Sequence, residues 1–175
     1  MGTYKQRLVT LEKLNQLSKP EAKEALAKCC GASKWVNCME AQRPFESIDQ
    51  LHQLAEEIWL SASNDDWLEA FSHHPKIGDR KSLEKKFIAT NDWSNDEQKS
   101  VSSASRSTLE ALLNLNDAYE EKFGFIFIVC ATGKSAEDML ELLKKRLPND
   151  RQEELQIAMG EQNKITKLRL DKLLT

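Results

Sequence analysis

The stretch Ser72-His73-His74-Pro75-Lys76-Ile77-Gly78-Asp79-Arg80 interrupts a chain whose other patterns are mainly helical, and it holds two of the three histidines. The residue before a proline is disfavoured in the helical region, so we expect a helix to end here with His74 at its end. Pro75 and Gly78 restrict the backbone, and histidine is the side chain best suited to proton transfer near neutral pH. His74 is therefore a candidate catalytic group, and a histidine that caps a helix C-terminus is the alternative.

Outward from this stretch, apolar residues recur at helical spacing between start signals such as Ser18-Lys19-Pro20-Glu21 and stop signals such as Gly31. One segment differs. Residues 125–131 (FIFIVCA) have the composition of a strand, but the sequence offers no second strand to pair with them. We expect either a lone extended segment buried in a helical protein or the start of a helix. The sequence predicts an all-α, single-domain bundle of roughly seven to nine helices over residues 1–175.

Composition narrows the possible partners and cofactors. A net charge of −3 gives no electrostatic reason to expect nucleic acid or an anionic membrane as a partner. No run approaches the roughly 20 apolar residues that span a bilayer, and the first residues do not predict a secretory signal. The spacing of the four cysteines suits neither a disulfide framework nor a zinc site, so we expect reduced thiols, no metal and a cytoplasmic protein.

Two further sites could carry chemistry. Residues 94–98 (SNDEQ) read as a capping box, with Ser94 as the N-cap and Glu97 at the third helical position, but a helix N-terminus can also bind an anion. Arg169 lies on the same face of the last predicted helix as Leu155, Ala158, Gln162 and Ile165. There it could form a salt bridge with a neighbouring helix or a fork for a carboxylate or ureido group.

Two arginines and one short loop are given no functional role by the pattern. Arg80 and Arg146 are predicted to be solvated charges. Gly133-Lys134-Ser135 resembles the end of a phosphate-binding loop, but Ile128 stands where that motif requires its first glycine, so we exclude a nucleotide site.

Five motifs, taken in order along the chain, resemble the 2-oxo-4-hydroxy-4-carboxy-5-ureidoimidazoline (OHCU) decarboxylase family. They are His74-Pro75-Lys76-Ile77-Gly78, Ser94-x-x-Glu97-Gln98, Leu115-Asn116-x-x-Tyr119, Phe123-Gly124-Phe125 with Phe127-Ile128-Val129-Cys130-Ala131, and Leu168-Arg169-Leu170. The resemblance covers essentially the whole chain. It implies an all-α enzyme that needs no cofactor and converts a small ureidoimidazoline carboxylate to (S)-allantoin in urate breakdown.

The resemblance also implies roles for individual residues. His74 would be the catalytic acid or base, with Glu97 and Arg169 as catalytic or substrate-orienting partners. The substrate-binding residues would be Pro75, Ser94, Asn95, Asp96, Glu97, Gln98, Phe127, Ile128, Val129, Cys130 and Ala131. A homodimer is a further expectation. Two other functions stay open: a non-catalytic helical interaction module, and a different cofactor-free lyase or hydrolase that acts on a ureido acid.

Overall fold

The computed structural model describes residues 10–76 and 106–174, and within them the chain forms eight helices and no strand. This confirms the expected all-α fold. The chain divides into two compact units, residues 1–70 with 163–175 and residues 71–162. The expectation of a single domain stays a prediction. The helices are α1 (Leu11–Gln16), α2 (Lys19–Ala27), α3 (Ser33–Ala41), α4 (Ile48–Leu60), α5 (Asn64–Ser72), α6 (Arg106–Phe123), α7 (Ala136–Arg146) and α8 (Arg151–Leu174).

The first unit is built around buried tryptophans. The predicted capping box forms at the start of α2, α2 packs on α3, and α3 packs on α4. Trp35 and Trp59 are almost fully buried. The Trp35 indole N–H donates to the Ala55 carbonyl at 3.0 Å, and the Trp67 indole N–H donates to the Trp59 carbonyl at 2.9 Å. Burial of the Trp35 and Trp67 rings therefore stabilises the fold by about 2–3 kcal/mol each, and neither indole N–H is left unpaired.

The second unit is built around an aromatic cluster to which residues 125–131 contribute Phe125 and Phe127. Helices α6 and α7 pack together, and the Tyr119 ring lies 4.5 Å from Phe123 and 5.3 Å from Phe127, centroid to centroid. Gly124 adopts φ +78°, which a glycine allows at little cost, and the chain turns there out of α6. Residues 125–131 form neither helix nor strand and all except Ile126 are buried. Of the two sequence alternatives, the buried non-helical segment is the one observed.

The described helices and side chains also bear on membrane and metal binding. None of the described helices is both long enough and apolar enough to cross a membrane. Within residues 10–76 and 106–174, no group of three or more His, Cys, Asp or Glu side chains is placed to hold a metal ion. All four cysteines are free thiols, as the sequence predicted, and three of them are buried: Cys29, Cys30 and Cys130.

Candidate active site

The histidine pair lies where the sequence predicted a helix end. Helix α5 stops at Ser72, and the His74 N–H donates to the Phe71 carbonyl at 3.1 Å in a final turn. His73 is exposed, whereas His74 is partly buried. Proline at position 75 disfavours helical backbone at His74, which accounts for the end of the helix.

The His74 ring is held by a residue from helix α8. Its Nε2 atom is hydrogen-bonded to Oε1 of Gln162, whose side chain is completely buried. A buried amide is costly unless its polar atoms are paired, so this contact stabilises Gln162 as well as orienting the imidazole. The histidine is therefore joined to the second unit's core by a specific hydrogen bond.

Backbone groups of residues 125–131 are bound by charged side chains. The Cys130 N–H donates to Oε2 of Glu161 at 2.8 Å, and Lys134 Nζ donates to the Cys130 carbonyl at 2.8 Å. Arg146 Nη1 donates to the Ile128 carbonyl at 2.7 Å. The resemblance implied that residues 127–131 bind substrate, but a ligand could use the Cys130 amide only by displacing Glu161.

Helix α8 supplies the contacts to both predicted parts of the site. Glu161 holds Cys130 and the next residue, Gln162, holds His74. Adjacent side chains on a helix point about 100° apart, so one turn can reach two neighbouring segments. The histidine turn and residues 125–131 thus share one support within the second unit.

The prediction that Arg146 is a solvated charge is wrong. It is 6% exposed, and its guanidinium Nε lies 2.6 Å from Oε1 of Glu154, which is fully buried. The Tyr119 hydroxyl donates to the same carboxylate oxygen at 2.5 Å, and burial together with this hydrogen bond raises the pKa of Tyr119. The guanidinium carbon also lies 4.5 Å from the Phe127 ring centroid. A helix-end arginine looked solvated because its partner is eight residues away, on the following helix.

Lys76 ties the residues after His74 to α6. Its amine forms ion pairs with Asp117 and with Glu120, the latter at 2.7 Å. Hydrogen bonds to Asp117 and then to Glu120 raise the pKa of Lys76. The two carboxylates are three residues apart on one helical face, so a single lysine reaches both.

The remaining candidate residues are Arg169 and those outside the described part of the chain. Arg169 belongs to the first unit, where its Nη1 lies 3.5 Å from the Lys28 carbonyl at the C-terminus of α2. A cation is favoured there by the helix dipole. Residues 94–98, which include Glu97, lie outside the described residues, as do Ile77, Gly78 and Arg80.

Sequence reasoning assigned no role to Glu161 or Gln162. One signal pointed to Gln162, because it is polar on a helical face that also carries Leu155 and Ala158, and both of those are fully buried. A polar residue on such a face needs a partner. Nothing in the local sequence of Glu161 indicated a backbone N–H as its partner.

Comparison with known proteins identifies the family. The family model for OHCU decarboxylase matches residues 15–171. The chain is 39% identical over 148 residues to a uric acid degradation bifunctional protein of Arabidopsis thaliana, covering 84% of this chain but 45% of that protein. It is 30% identical to the corresponding Bacillus protein, covering 95% of this chain and 32% of the relative. The chain thus spans less than half of these two bifunctional relatives.

Relatives and structures of similar length agree. The chain is 32% identical to the 2-oxo-4-hydroxy-4-carboxy-5-ureidoimidazoline decarboxylase of Halalkalicoccus jeotgali, covering 94% of this chain and 92% of that protein. A crystal structure of an OHCU decarboxylase in the presence of (S)-allantoin matches with a TM-score of 0.75 at 37% identity, over 87% of this chain and 97% of that one. The chain belongs to the OHCU decarboxylase family.

Proposed function

We propose that this chain is a cofactor-independent carboxy-lyase that converts 2-oxo-4-hydroxy-4-carboxy-5-ureidoimidazoline to (S)-allantoin in urate degradation. Family membership supports the reaction class. The observation that carries the proposal is the His74 imidazole, which a buried amide holds at a broken helix end. An oriented imidazole is the group that a proton-transfer step at neutral pH requires.

The substrate can supply its own electron sink. Its scissile carboxylate lies next to a ring imine, so the bond to the carboxylate carbon breaks, carbon dioxide leaves, and the electron pair moves toward the imine nitrogen. Cofactors such as pyridoxal phosphate normally provide that sink in decarboxylases. The protein then has to orient the carboxylate, stabilise the enolate-like intermediate and return a proton to one face.

In this proposal His74 exchanges a proton with the 4-hydroxyl or delivers the returning proton. General acid–base assistance of this kind typically contributes about 10²–10⁴-fold in rate. Arg169 would bind the anion through a bidentate contact, and Glu97 would orient the imidazole or hold the ureido N–H groups. Pro75, residues 94–98 and the backbone of residues 127–131 would line the pocket, with backbone amides at ring carbonyls.

The configuration of the allantoin that forms tests this proposal. Protonation of a planar intermediate in solution occurs on both faces and yields both mirror forms, whereas a protein-held acid yields one. Freshly generated substrate is mixed with the purified chain, and circular dichroism follows allantoin as it forms. A catalytic, (S)-selective rise is expected. A rate and optical signal equal to those of the buffer control would support the non-catalytic interaction module, and turnover of another ureido acid alone would support a different lyase or hydrolase.

Location, assembly and cofactor independence complete the proposal. A cytoplasmic location is supported by four free thiols, three of them buried. A homodimer is proposed from the family resemblance. Light scattering coupled to gel filtration measures the mass against the 20.0 kDa of one chain. Activity that survives exhaustive dialysis against a chelator is the result expected of an enzyme without a cofactor.

A further inference from the structure

We propose that Gln162 is a positioning residue that fixes His74 with its hydrogen on Nε2, so that Nδ1 is the nitrogen that exchanges a proton with the substrate. The inference rests on the proposed function, because it gives His74 the proton-transfer step. It goes further in naming the atom that acts and the residue that selects it.

The orientation of the Gln162 amide sets the direction of this hydrogen bond. Gln162 presents its carbonyl oxygen, Oε1, to Nε2 of His74. An amide oxygen only accepts hydrogen bonds, so Nε2 must donate. The Gln162 side chain is fully buried. Its rotamer is therefore restricted, and breaking this contact would remove a hydrogen bond from a buried amide.

The protonation state of the ring follows from that direction. A neutral imidazole carries one hydrogen, and with the hydrogen on Nε2 the basic lone pair is on Nδ1. When Nδ1 gains a proton, Nε2 remains a donor, so the contact with Gln162 persists in both protonation states. The ring can then pass through a catalytic cycle without turning.

Nitrogen NMR tests the tautomer without any substrate. The chain holds three histidines, so uniform ¹⁵N-histidine labelling gives few signals, and His74 is assigned from its disappearance in His74→Ala. At a pH where the ring is neutral, we expect the Nε2–H form. The Nδ1–H form would overturn the proposal, whether or not the protein decarboxylates, so its failure is distinct from failure of the proposed function.

Kinetics test the role of the acceptor oxygen. Gln162→Leu removes it, and we expect kcat to fall by about 10- to 100-fold, the effect of losing one hydrogen bond to a group that becomes charged, with little change in KM. Gln162→Glu keeps an acceptor and should recover most of the loss. Gln156→Leu changes an exposed glutamine of the same helix and should match wild type. Equal losses in the Leu and Glu variants of residue 162 would mean that Gln162 acts as a donor or only as packing, and would refute the proposal.

Discussion

Replacing Arg146 by methionine should destabilise the protein far more than a solvated arginine could. Methionine fills a similar volume but removes the cation that lies 2.6 Å from the fully buried Glu154. It also leaves the Ile128 carbonyl without its donor at 2.7 Å. Breaking a buried pair by removing one partner typically costs about 3–5 kcal/mol, because the other charge stays in the core.

The structure places the expected value near the lower end of that range. Glu154 retains two donors in the variant, the Tyr119 hydroxyl at 2.5 Å and the Asn149 side-chain amide at 3.0 Å. We therefore expect a loss of about 3 kcal/mol in the free energy of unfolding. For a chain of this length that corresponds to a fall in Tm of about 6–12 °C. Arg146→Met combined with Glu154→Gln should recover part of the loss, since no buried charge then remains.

Urea unfolding followed by circular dichroism measures these differences. Lys145→Met is the matched control, because Lys145 is the exposed neighbour on the same helix and should change stability by less than about 0.5 kcal/mol. If Arg146→Met cost no more than this control, the buried ion pair would not be a main support of residues 125–131. A double variant less stable than Arg146→Met would also contradict the argument.

Two further predictions concern Lys76 and the cysteines. Lys76→Met should lower stability by about 0.5–1 kcal/mol at low salt. Hydrogen bonds to Asp117 and Glu120 raise the pKa of Lys76 in the folded protein. The stability difference between wild type and Lys76→Met should therefore be complete below pH ~10.4 and disappear as the pH rises through the folded-state pKa. A stability difference that grew over that pH range would contradict the prediction. Burial raises the pKa of Cys29 and of Cys30 to about 12, whereas Cys38 is only partly buried. Brief iodoacetamide treatment of the native protein should therefore alkylate Cys38 first, as measured by peptide mass mapping. Equal labelling of Cys29 would refute this prediction.

Local signals in the sequence were sufficient for the described helices and for the position of His74. Capping boxes, apolar spacing and the bond before Pro75 are short-range effects, and α5 ends at Ser72, three residues before that proline. Residues 125–131 were recognised as unusual from composition, but choosing between a helix start and a buried non-helical segment required the tertiary packing around Tyr119.

Long-range partners could not be predicted from local signals. Arg146 looked solvated because its exposure depends on Glu154 and Ile128, which the fold brings to it. The contact between His74 and Gln162 joins residues 88 positions apart. The sequence can indicate that a buried polar residue needs a hydrogen-bond partner, but the identity of that partner depends on the fold. The proposed roles of Glu97 and Arg169 still depend on the family resemblance.

The most direct test of the account compares single substitutions at the two neighbouring histidines. His73 is exposed and His74 is held by Gln162, so His73→Ala controls for the loss of an imidazole at the same turn. With freshly generated substrate, His74→Ala should lose about 10²–10⁴-fold in kcat while its circular dichroism spectrum and Tm stay close to wild type. His73→Ala should remain near wild-type turnover. Near-wild-type turnover in folded His74→Ala would contradict the assignment of His74 as the proton-transfer group.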